Sequence, residues 1–134
     1  MDERARYEAG MSVRKAVLGR EHVEKAQSAA NEFNAEFQEL ITRYAWGEIW
    51  TRPGLLRSTR SLLVIAMMVA LNRMEELRLH VRAAANNGVT REEITEVLLQ
   101  CAIYCGVPAA NSAFHLAQSV FDELDQQSNA TEES

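Results

Sequence analysis

Two prolines and six glycines in 134 residues leave this chain short of the residues that turn a backbone sharply. A β-rich or low-complexity fold, which needs such punctuation every few residues, is disfavoured by that scarcity. Long apolar runs are missing as well. The longest, Leu62 to Leu71 (LLVIAMMVAL), has ten residues, about half of what a membrane-spanning helix requires. Positive charge is in deficit: 14 Lys and Arg stand against 19 Asp and Glu, for a net charge of -5. Nothing in that balance draws the molecule to phosphate backbones or anionic lipid, so neither nucleic acid nor membrane is an expected partner. Lysine is nearly absent, since every positive residue except Lys15 and Lys25 is arginine. Arginine is the side chain suited to bidentate carboxylate recognition and interface ion pairs. The two cysteines, Cys101 and Cys105, are four apart, which shares a helix face but matches neither a Cys-x-x-Cys redox pair nor a zinc spacing. The N-terminus shows no secretory pattern, so free thiols in a reducing cytoplasm are expected.

What is present reads almost entirely as helix. Residues 2–18 carry Tyr7, Met11, Val13, Ala16, Val17 and Leu18 on an apolar side, with a stop at Gly19. A short polar helix over 21–30 follows, then one over 31–45 whose Phe33, Phe37, Leu40, Ile41 and Tyr44 predict a buried stripe. From Gly47 to Ser58 the pattern breaks around Pro53-Gly54. Ser58 or Thr59 can cap a helix to about Asn72, and the chain continues helical from Met74 to a stop at Gly88. Thr90-Arg-Glu-Glu93 is a capping box for a helix through Tyr104, and Pro108 opens the last helix, which runs to about Asp125. The expectation is a single all-α domain over residues 1–126, of about six to seven helices, and a disordered polar tail over 127–134. The 62–71 helix is apolar on every side, which one small chain covers poorly, so burial against other subunits is expected.

Four groups of residues could carry chemistry. His80 stands one helical turn after Glu76, where a carboxylate can orient an imidazole for acid–base work, although the same spacing describes an ordinary surface pair. Glu48 lies among Trp46, Ile49 and Trp50, so it is either a desolvated carboxyl or an exposed acid beside two packing tryptophans. Arg43, Arg52, Arg57 and Arg60 crowd the same stretch and could clamp carboxylates by paired hydrogen bonds, with solvated charge or subunit ion pairs as the alternative, preferred for Arg57. Cys101 reads as core, while Cys105 and His115 line a pocket or merely pack. No phosphate loop, Ser-His-Asp order or metal-ligand cluster is found, which points to chemistry without a bound cofactor.

Three strings then resemble a known family together: ITRYAWGEIWTRPGL at 41–55, LRLHVRAAANNGVTREEITEVLLQ at 77–100 and CAIYCGVPAANSAFH at 101–115. Over residues 1–125 the chain is similar to the carboxymuconolactone decarboxylases, within the wider alkylhydroperoxidase-like helical proteins. The redox members of that superfamily carry Cys-x-x-Cys-x-x-x-His before a Gly-Val-Thr turn. Here His80 holds the His position, but Arg73 and Glu76 stand where the cysteines would be. The resemblance implies an alkylhydroperoxidase-like helical bundle in a homo-oligomer, a hexamer built from trimers. It implies cofactor-independent decarboxylation of 4-carboxymuconolactone in protocatechuate catabolism, with His80, Glu48 and Glu76 catalytic. Arg43, Arg52, Trp46, Trp50, Cys105 and His115 would bind the substrate. Two alternatives remain at this point: a thiol-dependent reductase using Cys105, and a non-catalytic oligomer that binds dicarboxylates.

Overall fold

The computed structural model describes residues 2–133. Among them the chain is all-α, seven α-helices with one π-helical and one 3-10 segment and no strand. It divides into two compact units, residues 1–60 and 61–134.

The first unit holds α1 (Glu3–Leu18), α2 (Arg20–Ser28), α3 (Ala35–Ile41) and a π-helical segment, Thr42–Ile49. Asp2 caps α1 by accepting a 2.7 Å hydrogen bond from the Ala5 amide. The helix buries Gly10, Arg14, Val17 and Leu18, an i, i+4, i+7, i+8 stripe rotated from the apolar side expected of it. Ala16 is exposed, Met11 and Val13 are half-buried, and an arginine occupies the buried stripe instead. Close approach decides this rotation, because α1 packs along the π-helical segment with Gly10 facing Thr42 and Gly47.

The expected buried stripe of the third helix is corrected by the structure. Phe33 is 98% exposed, Phe37, Leu40 and Tyr44 are also exposed, and α3 buries no residue. At Thr42 the helix widens to i→i+5 bonding, as in the 3.0 Å bond from the Trp50 amide to the Ala45 carbonyl. The widened turn shifts the inward positions to Thr42, Trp46 and Gly47. Helical backbone therefore continues to Ile49, two residues past the expected break, and only residues 50–56 are irregular around Pro53-Gly54.

The second unit takes in most of α4 (Arg57–Ala70) and then α5 (Met74–Ala83), a 3-10 turn (Ala84–Asn87), α6 (Arg91–Tyr104) and α7 (Val107–Glu133). Its core is built at helical spacing: Ile65 and Val69, Leu77 and Val81, Ile94, Leu98 and Cys101, and Ala113, Ala117 and Val120. The alanines of α7 let α5 and α6 pack directly against it. Gly88 ends the 3-10 turn at φ 76°, the left-handed conformation its sequence position predicts. The capping box is present in both directions, Glu93 amide to Thr90 Oγ1 at 3.1 Å and Thr90 amide to Glu93 Oε1 at 2.9 Å. Of the tail over 127–134 expected to be disordered on composition, residues 127–133 continue α7, exposed through Glu132, and residue 134 lies outside the described residues. After Pro108 the sequence contains neither glycine nor proline to break it.

Helix α4 is not covered on every side within this chain. Ser61, Ile65 and Val69 are buried, while Leu63, Met67 and Leu71 form an exposed stripe at i, i+4, i+8. Leu99, Ile103, Tyr104 and Val107 are exposed on the same unit.

Candidate active site

The π-helical segment gathers one set of the expected site residues. Trp46 is buried and stacks on Trp50, ring centroids 5.1 Å apart and planes inclined by 30°. Glu48, between them in sequence, is not enclosed by the tryptophans. Its side chain is half exposed and its carboxylate meets Arg6 Nε at 3.3 Å. Arg6 also pairs with Glu3 and lies over the Tyr44 ring, 5.3 Å from its centroid. Burial alone would lower the Arg6 pKa, but the carboxylates of Glu3 and Glu48 outweigh it and leave it raised.

The arginines of this stretch separate into different roles. Arg43 is held by Glu3 at 3.2 Å and Glu39 at 3.7 Å, so two carboxylates of the chain already occupy it. Arg60 donates through Nη2 to the Arg52 carbonyl at 3.3 Å, which ties the irregular connection to the start of α4. Arg52 and Arg57 are exposed, and no described carboxylate lies within ion-pair distance of either.

In the second unit, Glu76 and His80 both lie on α5, at i and i+4, the spacing that places two side chains over one another on a helix face. His80 is half-buried and Glu76 exposed. His80 also stands in the last turn of α5.

The structure brings Cys101 and Cys105 into contact. Cys101 is buried in the α6 core and Cys105 is exposed at the end of that helix. Burial pushes the Cys101 thiol up, and the adjacent Cys105 adds to the shift. A thiol so placed is a poor source of thiolate at neutral pH. His115 is exposed on α7, so neither it nor Cys105 is enclosed within the chain. Among the described residues no three His, Cys, Asp or Glu side chains are grouped to hold a metal ion. No described helix is long and apolar enough to cross a membrane.

One residue of chemical interest was not singled out from the sequence. Arg14 is 6% exposed and donates through Nη1 to Thr42 Oγ1 at 3.2 Å and through Nη2 to Gln38 Oε1 at 3.0 Å. Both acceptors are neutral, and burial lowers its pKa against a smaller opposing effect of Tyr7. The available signal was spacing: Arg14 is i+4 from Gly10 and i−3 from Val17, so a close-packed glycine face carries it inward.

These features define an all-α protein whose helix α5 carries Glu76 and His80 one turn apart. The chain belongs to the carboxymuconolactone decarboxylase family, whose model matches residues 35–119 and so spans parts of both units. It is 51% identical to the 4-carboxymuconolactone decarboxylase of Acinetobacter baylyi, over 92% of each chain. It is 45% identical to the nitrosuccinic acid decarboxylase npaB of Metarhizium robertsii, over 88% of this chain and 82% of that one. Over 48 residues, 36% of this chain and all of the other, it is 58% identical to a 4-carboxymuconolactone decarboxylase of Pseudomonas putida.

Proposed function

We propose that this protein decarboxylates 4-carboxymuconolactone to 3-oxoadipate enol-lactone and CO2 in protocatechuate catabolism, in the cytoplasm. The observation that carries the reading is the 51% identity to the Acinetobacter baylyi enzyme across nearly the whole of both chains. The chemistry suits a site without a cofactor. The departing carboxylate sits on a ring carbon next to a C=C bond conjugated with the lactone carbonyl. When the C–CO2 bond breaks, its electron pair passes along that path to the carbonyl oxygen. Protonation of the resulting dienolate at carbon gives the enol-lactone.

Such a reaction asks for a donor to the developing oxyanion, a proton for carbon and a clamp for the retained acetate arm. We assign the first two needs to His80, oriented by Glu76 one turn away on α5. Glu48 serves as the second acid–base group, held in place by Arg6. Arg52, exposed and without a carboxylate partner, is better placed for the acetate arm than Arg43, which would first have to leave Glu3 and Glu39. Trp46 and Trp50 supply a rigid apolar surface beside Glu48, and Cys105 and His115 are substrate contacts rather than nucleophiles.

The working form is a homo-oligomer, a hexamer of trimeric build. Supporting it are the exposed Leu63–Met67–Leu71 stripe and the exposed Phe33, Ile103 and Tyr104, more large apolar surface than a monomer of 15.1 kDa ordinarily leaves in water. Met67→Asp or Ile103→Asp is expected to shift sedimentation toward the single chain.

The decisive test adds freshly generated 4-carboxymuconolactone to metal-stripped protein and follows CO2 with enol-lactone. His80→Asn should lower kcat by at least 100-fold, the low end for loss of a positioned acid–base group, with helix content unchanged. Turnover within a few-fold of wild type would remove His80 from the mechanism. Stoichiometric binding without CO2 would instead identify a dicarboxylate-binding protein.

A further inference from the structure

The first unit contains a cleft of about 160 Å3 between α1, the end of α2 and α3, lined among others by Tyr7, Met11, Arg14, Gln27, Gln38 and Thr42. At its wall lies a guanidinium that the chain itself does not neutralise. Arg14 is more than nine-tenths buried, yet its only hydrogen-bond partners among the described residues are a threonine hydroxyl and a glutamine carbonyl oxygen. A guanidinium carries five N–H donors, so two are used here, and the buried Nε has no partner at all. Nor is Thr42 Oγ1 free to serve as more than an acceptor, since its own proton goes to the Gln38 carbonyl at 2.7 Å. Glu39, the acid bordering the cleft, is half exposed and paired with Arg43 at 3.7 Å, not with Arg14.

A buried cation without a counterion is among the costlier arrangements in a protein interior. An anion from outside would complete it. We propose that this cleft is a binding site for a small carboxylate, whose oxygens pair with the free N–H groups of Arg14 while Met11 and the Tyr7 ring cover its short carbon chain. Gln27 and Tyr7, which also line the cleft, carry further donor groups. The volume lies well below the roughly 300–1,000 Å3 of clefts that take drug-sized ligands, which limits the guest to a few carbons. Arginine fits the part because its planar fork matches both oxygens of a carboxylate. The site lies wholly within the first unit and does not depend on the decarboxylase assignment.

The experiment is an NMR titration of the full chain with succinate at constant ionic strength, reading the arginine Nε–Hε resonances and assigning Arg14 by its loss in Arg14→Lys. The expected result is a saturable shift of the Arg14 signal that chloride does not reproduce, and calorimetric succinate affinity at least tenfold weaker in Arg14→Met. An Arg14 signal that stays fixed while succinate is raised to its solubility limit would overturn the proposal. So would a signal that moves only with protein concentration, because the counterion would then be a carboxylate of another copy. Turnover assays separate the two sources of the ligand. Competitive inhibition by succinate, with KM raised in Arg14→Met, would place a substrate carboxylate in the cleft. Succinate binding that leaves KM unchanged would mark a separate effector. Failure of the decarboxylase reading would show as no CO2 release with the titration unaffected.

Discussion

Gly10 of α1 and Gly47 of the π-helical segment meet backbone to backbone. A Cβ built on Gly10 would lie 2.8 Å from the Gly47 nitrogen and closer still to the Thr42 carbonyl oxygen, and one on Gly47 would press into the Arg6 backbone. The nearest opposing atom at each glycine is a main-chain oxygen, which cannot move aside as a side chain can. The contact sets the rotation of α1, and with it the burial of Arg14 and the placement of Arg6 beside Glu48.

Gly10→Ala should therefore destabilise the first unit by about 1–3 kcal/mol, the usual penalty of overpacking. Urea unfolding followed by tryptophan fluorescence reads it directly, since both tryptophans lie in or beside the π-helical segment. An unchanged midpoint would mean that the two backbones are not in contact.

Thr90→Ala removes the acceptor of the Glu93 amide and half of the capping box. The expected loss is about 1 kcal/mol, a thermal shift of a few degrees, with Thr90→Ser restoring most of it. Equal melting of the alanine and serine variants would count against the cap.

Asp125 accepts two hydrogen bonds from Arg91, at 2.7 and 3.1 Å, while Arg91 lies 4.5 Å from the Phe121 ring centroid. The hydrogen bond to Arg91 holds the Asp125 carboxyl below its ordinary value. A carboxyl depressed in the folded state stabilises above its unfolded pKa of about 3.9 and loses that contribution as pH falls through the folded value. Wild type should thus be more stable than Asp125→Asn at pH 6, and the gap should close as pH falls from the unfolded value through the lowered folded one. A gap that persists in acid would place its origin in packing rather than charge.

Iodoacetamide at neutral pH should modify Cys105 quickly and Cys101 only on unfolding, since one is exposed and the other buried with its thiol pushed up. Alkylation of Cys105, a substrate contact and not a nucleophile, is expected to raise KM while most of kcat is retained. Loss that scales with thiol reactivity, and returns in Cys105→Ser, would revive the thiol-dependent alternative.

The helical class, the capping box at Thr90, the stop at Gly88 and the i, i+4 spacing of Glu76 and His80 were legible in the sequence, which also carried the family resemblance. These are local properties, written in spacing over one or two turns and in residues with special backbone freedom. It also determined the absence of a dithiol ahead of His80, since Arg73 and Glu76 occupy those places. Tertiary structure decided the rest. Whether Phe37 is covered depends on which face of a helix meets a neighbour, Phe33 falls in the turn before α3, and the inward positions come instead at Thr42, Trp46 and Gly47. Glu48 was legible as a carboxylate between tryptophans, but its pairing with Arg6 joins residues more than forty apart. Arg14 was hidden for the same reason. A charged residue in an amphipathic helix is read as outward facing, and only the glycine crossing of α1 on the π-helical segment turns it inward, where an unneutralised cation becomes a place for a ligand.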